Sequence, residues 1–214
     1  MELFRPGGLE LTNKAAELIG LAAGYKVLDI GCGLGTSLCF LRDKFNIEAY
    51  GLDINQNTVL KAGVRLGTDR VEWGDAEDLP YDTASFNAVF VECVLTLCEN
   101  PGKVLSEAYR VLVDGGHLVI SSLDGANELC ANGRIGRGAL QSELKKLGFE
   151  ILCLSDESRS LRQFMAEIIF KYDSMQNYIE DANKKLGGSI LNCDVPIKNT
   201  GYALVIAKKS ELNL

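Results

Sequence analysis

Residues Lys26 to Thr36 read Lys-Val-Leu-Asp-Ile-Gly-Cys-Gly-Leu-Gly-Thr, a short apolar run that enters a turn carrying glycine at three alternate positions. An apolar run of this length, rich in Val, Leu and Ile, is the form of a strand buried on both faces. The glycines admit positive φ and let a ligand approach the backbone closely. A helix is predicted from Thr36 to Phe45, with Leu38, Leu41 and Phe45 on one stripe. Strand, glycine turn and helix together form the opening of a βαβ unit. That unit requires a parallel sheet with helices packed on its faces.

The rest of the first half follows the same alternation. A helix is expected from Thr12 to about Ala22, capped by Thr12 or Asn13, with Gly24 ending it. After the glycine turn come a strand at Glu48–Asp53 and a helix capped by Asn55 or Asn57, for which Gly67 supplies the left-handed stop. Strands are expected at Arg70–Trp73 and Ser85–Glu92. Asn100-Pro101 then opens a helix with Val104, Leu105, Ala108, Tyr109 and Leu112 inward. Asp114-Gly115-Gly116 turns the chain into a strand at His117–Ser122.

Beyond Ser122 the texture changes. Asp124–Gly138 holds four glycines and little periodicity, which reads as a mobile loop. A helix at Ala139–Leu147 and a strand at Phe149–Leu154 follow. Apolar residues then recur every three or four positions from Ser158 to Leu186, which predicts two helices broken near Asp173-Ser174. Gly201–Ala207 reads as a final strand. The expectation is one domain over residues 1–214: an N-terminal helix and lid (1–24), a core (25–122) and a variable part (123–214) with a helical insertion at 158–187.

Composition narrows the function classes. With 22 basic against 29 acidic residues the net charge is −7, and the basic doublets lie far apart, so a polyanion such as nucleic acid is a disfavoured partner. No run approaches the roughly 18 apolar residues of a membrane span. The opening residues lack a basic-then-apolar leader. A cytoplasmic protein, monomer or homodimer, is expected. Seven cysteines without a C-x-x-C pair fit neither a disulfide framework nor a zinc ribbon.

The chemistry is expected at the strand tips. Asp29 sits two residues before Gly31, where its charge would repel the pyrophosphate of a dinucleotide and favour a ligand carrying an ammonium group. Asp53, followed by Ile54, ends the next strand 24 residues on, where a carboxylate accepts from two ribose hydroxyls. Asp75 can accept from an adenine amino group while the Ala76 amide donates to the ring. Val91 and Glu92 bring a fourth strand to the floor of the same crevice. In an open α/β sheet, ligands bind at the carboxyl ends of the strands.

These segments, with Asp114-Gly115-Gly116-His117-Leu118, resemble motifs I to IV and the turn into strand five of the class I methyltransferases that use S-adenosylmethionine (SAM), in particular the small-molecule group called type 11. The likeness covers about residues 10–122. It implies a Rossmann-like, seven-stranded, mostly parallel sheet whose last strand runs antiparallel between strands five and six. It implies SAM as cofactor, S-adenosylhomocysteine as product and a small-molecule acceptor as partner. Asp29, Gly31, Cys32 and Gly33 would then lie along the methionine portion, Asp53 and Ile54 at the ribose, Asp75 and Ala76 at adenine, and Val91 on the crevice floor. Asn87 and Glu92 depart from the family pattern, which usually has aspartate and a small residue at those positions.

Other residues carry competing readings. Glu92 is the best-placed candidate for a catalytic group, orienting an acceptor or taking its proton, and the alternative is a bond to a backbone amide. His117, the only histidine, starts its strand and so falls at the edge opposite the crevice. Cys93, Cys98, Cys130 and Cys193 would suit a metalloid acceptor such as arsenite if they converged, against a plainer role as small buried hydrophobes. No resident metal is called for. A non-catalytic SAM binder is the reading from a different class.

Overall fold

The alternating pattern becomes one mixed sheet with helices on both faces. A computed structural model describes residues 5–131, 133–187 and 199–210. The elements are α1 (Gly8–Leu18), β1 (Lys26–Ile30), α2 (Thr36–Phe45), β2 (Glu48–Asp53), α3 (Gln56–Leu66), β3 (Val71–Trp73), β4 (Phe86–Glu92), α4 (Pro101–Val111) and β5 (Leu112–Asp124). Then follow β6 (Cys130–Ala131), β7 (Arg134–Ile135), α5 (Arg137–Leu147), β8 (Phe149–Asp156), α6 (Ser158–Tyr172), α7 (Met175–Leu186) and β9 (Gly201–Lys209).

The strands lie in the order β3-β2-β1-β4-β5, all parallel; β9 pairs antiparallel with both β5 and β8. The antiparallel last strand thus lies where the resemblance implied. The short β6-β7 hairpin hangs from the far end of β5 through Asp124 and Ile135, so among the described residues the sheet has nine strands rather than seven. The chain runs outward from β1 to β3 and returns to β4. This reversal puts a crevice at the carboxyl ends of β1 and β4, the topological switch point of the sheet.

Two apolar layers hold the sheet. One face packs Leu28, Ile30, Val89, Val91, Leu118 and Ile120 against Val104, Leu105, Ala108 and Val111 of α4 and Leu140 and Leu144 of α5. The other packs Val27, Ala88, Phe90 and Val119 against Ala15 and Ala16 of α1, Leu38 and Leu41 of α2 and Leu161 of α6. Each fully buried Leu, Ile or Val contributes about 1.5–3 kcal/mol of transfer free energy. Asn55 and Asn100 cap α3 and α4 by accepting from Asn57 N and Lys103 N, and Pro101 stands at the first turn of α4.

Several expectations are corrected. Helix α1 begins at Gly8, four residues before the expected cap, because Gly7 takes the left-handed conformation (φ 77°) and starts the turn. Thr12 is therefore inside the helix and fully buried, its hydroxyl free for a contact across the fold. The helix ends at Leu18, short of Ala22. Gly67 does stop α3 with positive φ (109°), but its ψ of 137° lies outside the left-handed helical well. The stretch expected as a loop carries regular structure among its described residues: Cys130–Ala131 and Arg134–Ile135 pair as the β6-β7 hairpin, α5 opens at Arg137, and Arg137 is ion-paired with Asp124. Cys193 lies outside the described residues.

Candidate active site

The parallel registers align four strand tips. Asp29 pairs with Gly51 and Phe90, Ile30 with Leu52 and Val91, Asp53 with Trp73, and Glu92 with Ser121. Between these tips lies a cavity of about 480 Å³, lined by Asp29, Gly31, Cys32, Gly33, Asp53, Ile54, Asp75, Ala76 and Glu92, among others. The fold thus brings together every candidate residue except Val91. That side chain is fully buried in the core under α4, because alternation along β4 turns it away from the cavity.

The glycine turn is held from below by β2. Gly31 N and Cys32 N both donate to the Leu52 carbonyl, at 2.7 and 3.0 Å, and Gly33 N donates to Asp53 Oδ2 at 2.8 Å. Gly31 sits at φ +72°, and a Cβ there would fall 2.3 Å from Val94 Cγ2. Gly33 also has positive φ, but a Cβ there would meet nothing within 4 Å on the protein side. The first glycine is thus required by the protein's own packing, while the second leaves open space over its backbone.

Asp53 is a tethered carboxylate. Its Oδ1 accepts from Asn55 N and Thr58 Oγ1, both at 2.9 Å, while Oδ2 accepts from Gly33 N alone and keeps a lone pair toward the cavity. Asp75 Oδ1 accepts from Glu77 N at 2.9 Å, which leaves Oδ2 open. Trp73 Nε1 donates to the Ile54 carbonyl at 2.9 Å and fixes the outer rim, where both side chains remain exposed.

Asp29 differs from both. It is only 4% exposed, and among the described residues no group donates a hydrogen bond to its side chain. Burial and the neighbouring Glu92 push its pKa well above the usual carboxylate range, with Arg5 acting in the opposite sense. A buried carboxylate that faces a cavity without a partner is suited to a cation or strong donor brought by a ligand.

Glu92 is occupied. Arg5 Nη2 donates to its Oε2 at 2.7 Å, and Thr12 Oγ1 lies 3.1 Å from its Oε1. Burial raises the Glu92 pKa, and Arg5 opposes that shift. Arg5 thus brings a guanidinium to the wall of the cavity. Thr12 and Ser37, both in this network, carry no signal in the sequence. Each looks like an ordinary helix residue until the helices are docked.

The remaining candidates separate clearly. His117 pairs with Ala88 near the start of β4, far along the strands from Glu92, and burial lowers its pKa. Cys32, Cys93 and Cys98 line the cavity, but burial raises each thiol, Cys98 to about 11. Among the described residues no three His, Cys, Asp or Glu side chains converge as a metal site. Among the same residues no helix is long and apolar enough to cross a membrane.

A family model described as a methyltransferase domain matches residues 28–120, the span that carries all four strand tips. Over this span the chain is similar to the class I SAM-dependent methyltransferases. It is 26% identical to the methyltransferase GfsG of Streptomyces halstedii, over 94% of this chain and 80% of that one. It is also 26% identical to the 27-O-demethylrifamycin SV methyltransferase of Amycolatopsis mediterranei, over 94% and 83%. Against phosphoethanolamine N-methyltransferase 3 of Arabidopsis thaliana, identity is 21% and this chain spans only 36% of the plant protein. Among solved structures the (4+2)-cyclase SpnF superposes with a TM-score of 0.74 at 25% identity, covering 94% of this chain and 81% of that one. The family uses SAM as methyl donor, and the site suits it: an unpaired buried acid stands beside a glycine turn, with a second, tethered acid on the next strand.

Proposed function

We propose that this chain binds SAM in the crevice between β1 and β4 and transfers its methyl group to a small-molecule acceptor. The observation that carries this reading is Asp29, a buried carboxylate without a protein donor, set just before the glycine turn. A dinucleotide would bring a pyrophosphate to the same place and be repelled. An amino-acid end brings an ammonium and is held.

The roles follow from position. Asp29 receives the ammonium of the methionine portion, and the backbone at Gly31, Cys32 and Gly33 runs beside its chain. Asp53 accepts from ribose through its open lone pair. Ile54 flanks the ribose, while Asp75 and the Ala76 amide meet the adenine edge. SAM supplies a methyl group already activated on a cationic sulfur, so the protein's tasks are alignment and exclusion of water. The roof for both comes from the segment at Arg5, from Leu97, Cys98 and Glu99, and from Leu186 at the end of α7.

A metalloid acceptor is the weaker alternative, since burial raises the pKa of the cavity thiols and no three metal-ligating side chains converge among the described residues. A second reading, SAM binding without methyl transfer, is favoured by one observation: a close structural neighbour is described as a cyclase. Two measurements test these readings. Calorimetric titration with S-adenosylhomocysteine is expected to show binding, and no heat at millimolar ligand would end the proposal. Incubation with methyl-labelled SAM and a panel of alcohols, amines, thiols and carbon acids is expected to label one class. Binding without any labelled product would favour the second reading.

A further inference from the structure

The N-terminal segment brings a second buried group that the protein leaves incompletely paired. Arg5 is 6% exposed and lines the cavity. Its Nη2 is fully engaged by Glu92 Oε2 at 2.7 Å, Ser37 Oγ at 3.2 Å and Thr12 Oγ1. Its Nη1 is buried and has no partner among the described residues. A guanidinium offers five N–H donors in a fixed plane, and a buried one whose Nη1 donors are unsatisfied is suited to a planar anion.

A neighbouring feature points the same way. Ser37 stands in the first turn of α2, a ten-residue helix whose left-handed N-cap, Gly35, offers no side-chain acceptor. The amides of that turn and the positive end of the helix dipole therefore favour an anion at this end of the crevice. Asp29 lines the same cavity and takes a cation. The site thus presents to one ligand a carboxylate without a protein donor and a guanidinium with one nitrogen unsatisfied, an arrangement complementary to a zwitterion.

We infer that Arg5 receives the carboxylate of the amino-acid end of the donor, and that Glu92 is a positioning residue that holds Arg5 in place and not the base for the acceptor. The inference rests on the SAM reading above. It gives Glu92, unusual at a position where the family favours a small residue, a structural reason. Thr12 and Ser37 complete the mount: their hydroxyls, with Glu92, surround Nη2, and Nη1 is left for the ligand.

The test compares S-adenosylhomocysteine with 5′-methylthioadenosine, which keeps the nucleoside and sulfur but lacks the amino-acid end. Calorimetry of the full chain is expected to show that Arg5→Met weakens S-adenosylhomocysteine on the order of 10- to 100-fold, the range of one charge-assisted pair. Methylthioadenosine affinity should stay within about twofold of wild type, which also shows that the nucleoside site is folded. Arg5→Lys should recover part of the loss, because the charge remains while the fork does not. Glu92→Ala should repeat the selective loss, and Glu92→Gln, which can still accept from Arg5, should restore most of it. Equal loss of both ligands, or no loss of either, overturns the inference while leaving the SAM reading intact. Absence of S-adenosylhomocysteine binding to the wild type overturns the SAM reading instead.

Discussion

Arg5 Nη2 and Glu92 Oε2 meet at 2.7 Å with side chains only 6% and 4% exposed, so the N-terminal segment is tied to the tip of β4 by an ion pair out of contact with water. Removing one partner of such a pair leaves a charge that the fold cannot hydrate. Glu92 is the less able to escape, because it is fixed in a central strand, whereas Arg5 lies outside the sheet, before the first helix.

Arg5→Met is therefore expected to destabilise the fold in a pH-dependent manner. Without Arg5, desolvation drives the Glu92 pKa further above its unfolded value of 4.5. The folded state then binds a proton that the unfolded state has released, so stability falls as pH rises through the folded pKa. Urea denaturation should show a loss of about 3 kcal/mol at pH 8 and clearly less at pH 5. A loss that is equal at both pH values would mean that Glu92 is not the group left stranded.

Asp29 predicts a proton linked to ligand binding. Its pKa in the free protein is raised by burial and by the charges of Glu92 and Asp53, against the opposing effect of Arg5. A bound ammonium favours the ionised form and lowers that pKa, so binding releases a proton when the pH lies between the two values. Affinity for S-adenosylhomocysteine should then rise with pH up to the free-protein pKa and level off above it. Calorimetry in buffers of differing ionisation enthalpy measures the proton directly. Asp29→Asn should abolish the release, and an unchanged proton count in that variant would remove Asp29 from the ammonium contact.

For Asp53, two jobs coincide in one carboxylate. It holds Gly33 N, Asn55 N and Thr58 Oγ1, and it offers its last lone pair to the ribose. Asp53→Ala should therefore reduce SAM affinity by about 10- to 100-fold, since one charge-assisted hydrogen bond contributes about 1.5–3 kcal/mol. The glycine turn should loosen at the same time. Faster amide exchange at Gly33 and Asn55 in the ligand-free variant is the expected accompaniment, and wild-type affinity would refute the ribose contact.

The two glycines of the turn should respond differently to alanine. Gly31→Ala meets both a positive φ and a Cβ 2.3 Å from Val94 Cγ2, so a loss of about 2–4 kcal/mol in unfolding free energy is expected. Gly33→Ala meets only the backbone penalty on the protein side, about 1 kcal/mol. Its methyl group would instead occupy ligand space, so its main effect should be on affinity. Chemical denaturation and calorimetry on both variants separate the two cases. Similar stability losses would contradict the packing described.

Much of this was legible in the chain itself. The strands β1, β2 and β4, the helices α2 and α3, the Asn55 and Asn100 caps and the acids at the strand tips are local matters. They depend on periodicity, on a side chain that reaches its own helix amide, and on glycine where φ must be positive, and each of these is decided within a few residues. Topology then follows, because parallel strands joined by helices have few ways to pack. Three things lay beyond the sequence because each depends on groups far apart in the chain. Gly7 moved the start of α1 and so took Thr12 from a helix cap to a buried partner of Glu92, eighty residues away. Val91 left the site because the pleat of β4 turned it into the core. Arg5 became a cavity residue only because docking α1 against α2 brought it to Glu92 at the tip of β4, where burial, not local propensity, determines which charges must meet.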